Sequence, residues 1–306
     1  MPDRHDVSAL LKRIAAQCTE LPGGKVADYI PPLANADPTQ FGIAVSMLDG
    51  EEHAAGDADH RFPLQSISKV IALTMAMQRL HDDLWERVGR EPSGDPFNSL
   101  VQLEHERGIP RNPLINSGAI VVDDVLLELF DDPKAAGYEL LCELAGSDIE
   151  VDQEVAAAEQ GSGDRNRAMA HLMKSFGNLH HDVADVMEVY NHQCAISLST
   201  RELARAFRFL ANDGVDPASG RRVLSDSDAR SVNAVMLTCG TYDAAGEFAF
   251  SVGVPLKSGV AGGIAGDVPH HMGLCVWSPA LDESGNSLAG RVALQELTDA
   301  MDLSVF

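Results

Sequence analysis

Ser66-Ile67-Ser68-Lys69 opens a run to about residue 80 whose apolar spacing reads as a long amphipathic helix. On a helix, residues three apart are neighbours on one face, so the Ser66 hydroxyl and the Lys69 amine project side by side. An amine placed there can take the hydroxyl's proton and make serine a usable nucleophile. Near the other end of the chain, Lys257-Ser258-Gly259 lies in a β-leaning run and would add a second cation and backbone donors. Lysine is scarce. Lys12, Lys25, Lys69, Lys134, Lys174 and Lys257 are the whole set, and two of them fall in these two motifs.

Upstream of Ser66, residues 7–18 carry helical spacing, with Leu10, Leu11, Ile14 and Ala15 on one face. Gly23-Gly24 and Pro31-Pro32 mark loop. Residues 41–48 form a β-leaning run, and Asp49-Gly50 signals a hairpin turn into a return strand around His53-Ala54-Ala55. Downstream, the text is helical to about residue 236, with segments at 117–130, 137–144, 164–176, 182–194 and 200–210. Gly177 suits a helix C-cap, Ser199 with Glu202 a capping box, and Ser225 with Asp228 a looser one. Strands are expected at 248–254, 255–260, 263–267 and 272–277, followed by a last helix at 289–301.

Strands from both ends can therefore share one antiparallel sheet, with a helical block between them. The expected fold is α/β (α+β): an antiparallel sheet flanked by helices, with an inserted all-helical subdomain. Residues 1–70 and 237–306 make the sheet-containing part and residues 71–236 the helical subdomain, in one catalytic unit overall. The Ser66 helix falls at the junction, a preferred place for a small-molecule pocket.

The chain has 306 residues, 45% of them hydrophobic, which is enough for a proper core. With 46 acidic against 23 basic residues the formal charge is −23, a field that repels nucleic acid and anionic membranes. Five scattered cysteines without a C-x-x-C argue against a disulfide framework or a zinc site. They read as reduced thiols of a cytoplasmic protein, and Met1-Pro2-Asp3-Arg4-His5-Asp6 lacks the pattern of a secretory signal. No apolar run approaches a membrane span.

The remaining motifs read plainly. The glycine-rich run 259–266 fits neither dinucleotide nor P-loop spacing, and its glycines serve a strand turn and close backbone approach. His180-His181 and His270-His271 have no third ligand at suitable spacing and read as solvated or capping residues. Asp123-Asp124 and Asp131-Asp132 read as solvated positions on a helix and at its end. Tyr190, near a helix end, is either a packed ring or a proton-transfer group tuned by a nearby lysine.

The Ser-x-x-Lys and Lys-Ser-Gly pair is the layout of serine β-lactamases and penicillin-binding proteins. Within that superfamily the sequence resembles the serine-dependent glutaminases. The stretches that carry the resemblance begin with Gly24-Lys25-Val26-Ala27-Asp28-Tyr29-Ile30-Pro31, the decapeptide from Arg61 to Val70, and the nonapeptide from Glu91 to Ser99. Pro113-Leu114-Ile115-Asn116-Ser117-Gly118-Ala119 and Gly163-Asp164-Arg165-Asn166-Arg167-Ala168 follow. Leu237-Thr238-Cys239-Gly240-Thr241-Tyr242-Asp243 and the run from Pro255 to Gly263 complete the set.

The resemblance implies a β-lactamase/DD-peptidase-like fold and hydrolysis of L-glutamine to L-glutamate and ammonia through a γ-glutamyl ester. It implies Ser66 as nucleophile, Lys69 as its partner, Tyr190 as a second proton-transfer group and Lys257 as a further catalytic cation. The N–H groups of Ser66 and Val260 would form the oxyanion hole. Tyr29, Asn116, Glu159, Asn166 and Tyr242 would contact substrate. Substrate chemistry supports these roles, since the α-ammonium calls for a carboxylate such as Glu159 and the α-carboxylate for amide and hydroxyl donors. No metal or organic cofactor is expected, and the partner is the small-molecule substrate. A homo-oligomer, dimer or tetramer, is expected. A β-lactam- or peptide-hydrolysing enzyme with the same dyad and a non-turnover amino-acid sensor are the competing readings.

Overall fold

Strands from the two ends of the chain do meet in one sheet. A computed structural model describes residues 4–93 and 99–306. Met1-Pro2-Asp3 and the Gly94-Asp95-Pro96-Phe97-Asn98 part of one family-like stretch lie outside the described residues. The strands are β1 (Gly42–Met47), β2 (Glu52–Gly56), β3 (Arg61–Pro63), β4 (Glu150–Val151), β5 (Ile196–Ser199), β6 (Leu256–Ser258), β7 (Gly263–Val268) and β8 (Met272–Trp277). The helices are α1 (Arg4–Thr19), α2 (Ser68–Leu80), α3 (Leu100–His105), α4 (Asn116–Leu129), α5 (Pro133–Ala145), α6 (Gln153–Ser162) and α7 (Asp164–Ser175). After them come α8 (Val183–Cys194), α9 (Thr200–Ala206), α10 (Arg208–Ala211), α11 (Asp226–Cys239), α12 (Ala245–Ser251) and α13 (Leu288–Met301).

The central sheet is antiparallel, in the order β2-β1-β8-β7-β6. Its register places Ile43, Val276 and Ile264 in one row and Ala44, Cys275 and Ala265 in the next. Successive residues of a strand face opposite sides, so one face is large and branched and the other small. The branched face packs on α1 and α13, with Leu11, Ile14, Ala293 and Leu297 in the same apolar cluster. The small face lets α9 come close. A Cβ on Gly273 would overlap the Ala204 carbonyl of that helix. Covered on both sides, β7 and β8 are buried along their whole length.

The helical block is built around α2 and α4. Residues 68–77 of α2 and 116–126 of α4 are all buried, and the two helices pack on each other. A helix that is apolar nearly all round belongs in a protein interior. The expected caps are present: Ser199 and Glu202 make a reciprocal capping box, and Asp132 and Ser225 accept from the first turns of α5 and α11. Gly177, after α7, has φ +82° and suits the left-handed exit of a helix.

Four readings need correction. Residues 248–254 are not a strand. Phe248 and Val252 are buried one helical turn apart while Phe250 is 90% exposed, which is the period of α12 rather than of a sheet. The stretch to residue 236 is not wholly helical, because β5 pairs with β3 and β4 in a second, three-stranded sheet. Helices α9 and α10, placed by sequence in the helical subdomain, pack instead on β1, β7 and β8. Finally, Asp123 and Asp124 are not solvated. They are 1% and 0% exposed.

Asp124 is satisfied where it lies. It accepts from Arg87 Nη2 at 2.7 Å and from the His180 and His181 N–H groups. Burial pushes its carboxyl up, but those N–H groups and the guanidinium outweigh burial and hold it below the usual range. Asp124→Ala would leave Arg87 without its buried partner. Urea denaturation is expected to show a loss of about 3–5 kcal/mol. A loss below about 1 kcal/mol would mean that the chain replaces this anchor from elsewhere.

Candidate active site

Ser66 does not sit in the long helix itself. Gln65–Ile67 form a 3₁₀ turn that leads into α2 at Ser68, and Gln65 has φ +50°. A non-glycine residue held there is strained, and such strain collects at functional sites. The turn packs against β6 and β7. The residues that join those strands, Gly259-Val260-Ala261-Gly262, fold back tightly, with the Gly262 N–H donating to Gly259 O at 2.9 Å. A Cβ on Gly259 would lie 2.5 Å from Leu64 O, so glycine is what lets this turn reach the Ser66 turn. Trp277 Nε1 donates to Ala261 O at 2.9 Å and pins it from the other side. Among the described residues no backbone carbonyl takes the Val260 N–H.

Lys69, the second residue of α2, is 3% exposed. Its Nζ donates to Asn116 Oδ1 at 2.6 Å and to Leu114 O at 3.3 Å. The Leu114 loop is shaped by Asn112, whose Oδ1 accepts from the N–H groups of Leu114 and Ile115. Burial pulls the Lys69 amine down to about 8, partly opposed by Cys194, Asp123 and Glu159. Asn116, at the start of α4, passes the chain of contacts on, because its Nδ2 donates to Asn166 Oδ1 at 3.0 Å.

Lys257 lies deeper. Fully buried on β6, it donates to Gly240 O at 3.0 Å and Ser258 O at 2.7 Å, and its Nζ is 4.5 Å from the centre of the Tyr242 ring. Burial, and then repulsion from Lys69, pull its amine well below the usual range. Tyr242 has φ +56° and donates its hydroxyl proton to Ser258 O at 3.1 Å. The same hydroxyl is hydrogen-bonded to Ser66, and burial pushes its ionisation up.

A cavity of about 1120 Å³ opens beside these groups, lined by Tyr29, Ser66, Asn116, Glu159, Asn166, Tyr190 and Val260 among others. Glu159 is 9% exposed on the last part of α6, and Asn166 stands in the first turn of α7. Burial pushes the Glu159 carboxyl up, while the Gln65 amide and Lys69 pull it partway back. Tyr190, on α8, is pushed well above the ordinary tyrosine range by burial and by Cys194, Glu159, Asp123 and Tyr242 around it.

Seven of the ten residues expected at the site therefore line one cavity. Lys69 reaches it through Asn116 and Tyr242 through Ser66, while Lys257 stands behind Tyr242. Sequence reasoning passed over Gln65 and Arg165, which also line the cavity. Both directly precede a selected residue, Ser66 and Asn166, and that adjacency was the available signal.

An antiparallel sheet with an inserted helical block, and a Ser-x-x-Lys turn at their junction, define the β-lactamase-like class of α/β enzymes. A family model described as Glutaminase matches residues 24–306. The chain is 54% identical to a glutaminase of Mesorhizobium japonicum over 300 residues, 97% of this chain and 95% of that one. A solved structure described as probable glutaminase ybaS superposes with a TM-score of 0.94 at 36% identity, covering 99% of both chains. A probable glutaminase from Bacillus subtilis, complexed with 6-diazo-5-oxo-L-norleucine, matches with a TM-score of 0.87 at 32% identity, over 100% of this chain and 98% of that one. The chain belongs to the glutaminase family and is an amidohydrolase.

Proposed function

We propose that Ser66 attacks the side-chain amide of L-glutamine and carries a γ-glutamyl ester, with Lys69 as its base. The observation that carries this reading is the continuous polar path Lys69–Asn116–Asn166, which ends in the same cavity as Ser66 and Glu159. The Ser66 proton goes to Lys69 Nζ as Oγ bonds the amide carbon. The N–H groups of Ser66 and Val260 receive the oxyanion. The proton then passes to the departing nitrogen through the Tyr190 hydroxyl, ammonia leaves, and water hydrolyses the ester to L-glutamate. Tyr190 serves as a neutral relay, because its surroundings disfavour the phenolate. Lys69, lowered to about 8, is the better resting base.

Glu159 takes the α-ammonium of glutamine, and Asn116, Asn166 and Tyr29 take the α-carboxylate. Tyr242 holds the Ser66 hydroxyl, and Lys257 holds Tyr242 in place. The ligand named for the Bacillus subtilis relative is itself an α-amino acid, which supports an amino-acid site. The sheet-containing part and the helical block act as one catalytic unit, since both border the cavity. The same reading makes the protein cytoplasmic and a homo-oligomer, dimer or tetramer. Among the described residues no helix is long and apolar enough to cross a membrane, and the five cysteines are unpaired. The exposed Phe250 and Phe306 rings are surface that a second copy would cover.

Ammonia release from glutamine, compared with turnover of a chromogenic β-lactam, tests this reading. Glutamine turnover that Ser66→Ala abolishes is expected, and β-lactam turnover alone, or acylation without turnover, would favour the competing readings. Because the Lys69 amine must be neutral to act, kcat/KM should rise with pH to a plateau, with a midpoint at about 8. A flat profile from pH 6 to 9 would contradict Lys69 as the base.

Glu159→Gln keeps the shape and removes the charge. It should weaken glutamine binding by about 2–5 kcal/mol. A glutamine analogue without the amino group should lose affinity for the wild type but little more for the variant. Equal discrimination by both would place the ammonium's partner elsewhere.

A further inference from the structure

Trp277 is one of two tryptophans in the chain, and the reaction described above gives it no part. It ends β8 with its ring buried, 2% exposed. The Phe62 ring of β3 lies nearly parallel to it with centres 5.6 Å apart, and the His60 ring stacks on it at 4.4 Å. Any aromatic ring would serve that stack. The indole adds one polar group, Nε1–H, and a buried donor needs an acceptor. The acceptor it has is Ala261 O, at 2.9 Å.

Ala261 belongs to the turn that presents Val260. The outer residues of that turn are held by backbone bonds. Gly259 N–H donates to Gly263 O and Gly262 N–H to Gly259 O, both at 2.9 Å, and Ser278 N–H donates to Gly262 O at 3.1 Å. The inner pair, Val260 and Ala261, has no such tie. Among the described residues, its single hydrogen bond is the one from Trp277. The aim of the Val260 N–H is therefore set by its two neighbours. Gly259 is pressed on Leu64 O, where a Cβ would come within 2.5 Å. Ala261 is held by the indole. A donor that meets charge only as it forms works best when it is already aimed. A misplacement of about 1 Å can cost about a hundredfold in rate.

We propose that Trp277 is a positioning residue of the oxyanion hole: its Nε1–H, bonded to Ala261 O, holds the Val260 N–H at the place where the amide oxygen gains its charge. This rests on Ser66 being the nucleophile and Val260 an oxyanion donor. Trp277 is not among the residues that line the cavity, so it acts through the turn alone.

The test deletes the N–H and keeps the ring. In β-(3-benzothienyl)alanine a sulfur atom replaces the indole N–H. Grown on this analogue, a Trp85→Phe protein carries it at position 277 only, and the same protein with ordinary tryptophan is the reference. Acylation of Ser66 in a single turnover of carbon-14 glutamine is expected to fall about tenfold, and kcat with it. That is less than the loss of about a hundredfold or more when a whole oxyanion donor is removed. KM should stay within about twofold, because the aimed donor matters only in the transition state. The pH midpoint of kcat/KM should stay at about 8, because the base is untouched.

Unchanged acylation, a loss carried by KM, or a shifted pH midpoint overturns the proposal. If the reference protein forms no acyl-Ser66, the nucleophile reading falls and the proposal falls with it. Equal acylation by both proteins removes only the role of Trp277. If the analogue protein does not fold, Trp277→Phe deletes the N–H with a natural residue, and the same split between kcat and KM is expected. If neither folds, the Trp85→Phe protein decides through its one indole N–H signal. That signal should move when 6-diazo-5-oxo-L-norleucine, the ligand of the Bacillus subtilis relative, is bound, and an unmoved signal overturns the proposal.

Discussion

The burial of one amine constrains most of this molecule. Lys69 lies on a helix whose first ten residues are all buried, so its ammonium cannot reach bulk water. It needs acceptors fixed in place, and it has two: Asn116 Oδ1 and Leu114 O. Those acceptors exist because Asn112 folds the preceding loop and because α4 begins at Asn116. The packing of α2 on α4, which is first an apolar matter, is therefore also what prepares an amine with a lowered proton affinity beside the cavity. A charged amine left without these partners would cost several kcal/mol.

A second constraint works from the sheet. The small face of β1, β7 and β8 lets α9 approach, and the Phe62 and Trp277 rings stack between β3 and β8 with centres 5.6 Å apart. Trp277 then fixes the turn that carries Val260. The Ser66 turn is caught between this sheet edge and the buried helices. Gln65, inside that turn, and Tyr242, hydrogen-bonded to Ser66, are both held at positive φ. Two unfavourable backbone conformations beside one hydroxyl are tolerated because the surrounding packing leaves no alternative.

Much of this was legible in the sequence. The Ser-x-x-Lys spacing, the Ser199–Glu202 box and the Asp49-Gly50 hairpin each rest on a local rule, and local rules survive folding. The residues brought together over distance, Tyr29, Asn116, Glu159, Asn166 and Tyr190, came from resemblance, because no spacing rule links positions so far apart. The misreadings have separate causes. Phe248-Ala249-Phe250-Ser251-Val252 is rich in strand formers, but the outer sheet face buries residues four apart, and tertiary packing overrode propensity. β4 and β5 are too short to show a period. Asp123 and Asp124 looked solvated because charge usually is. Arg87, the partner of Asp124, lies 37 positions away and cannot be inferred from neighbouring residues.

The central claim is that Ser66, served by the buried Lys69, carries the acyl group. Acid-quenching the enzyme during turnover of carbon-14 glutamine, followed by peptide mapping, tests it most directly. The account predicts label on the peptide that contains Ser66, released by mild base as an ester would be, and no labelled peptide from Ser66→Ala. Steady ammonia production with no labelled peptide, or with label on a peptide lacking Ser66, would contradict it.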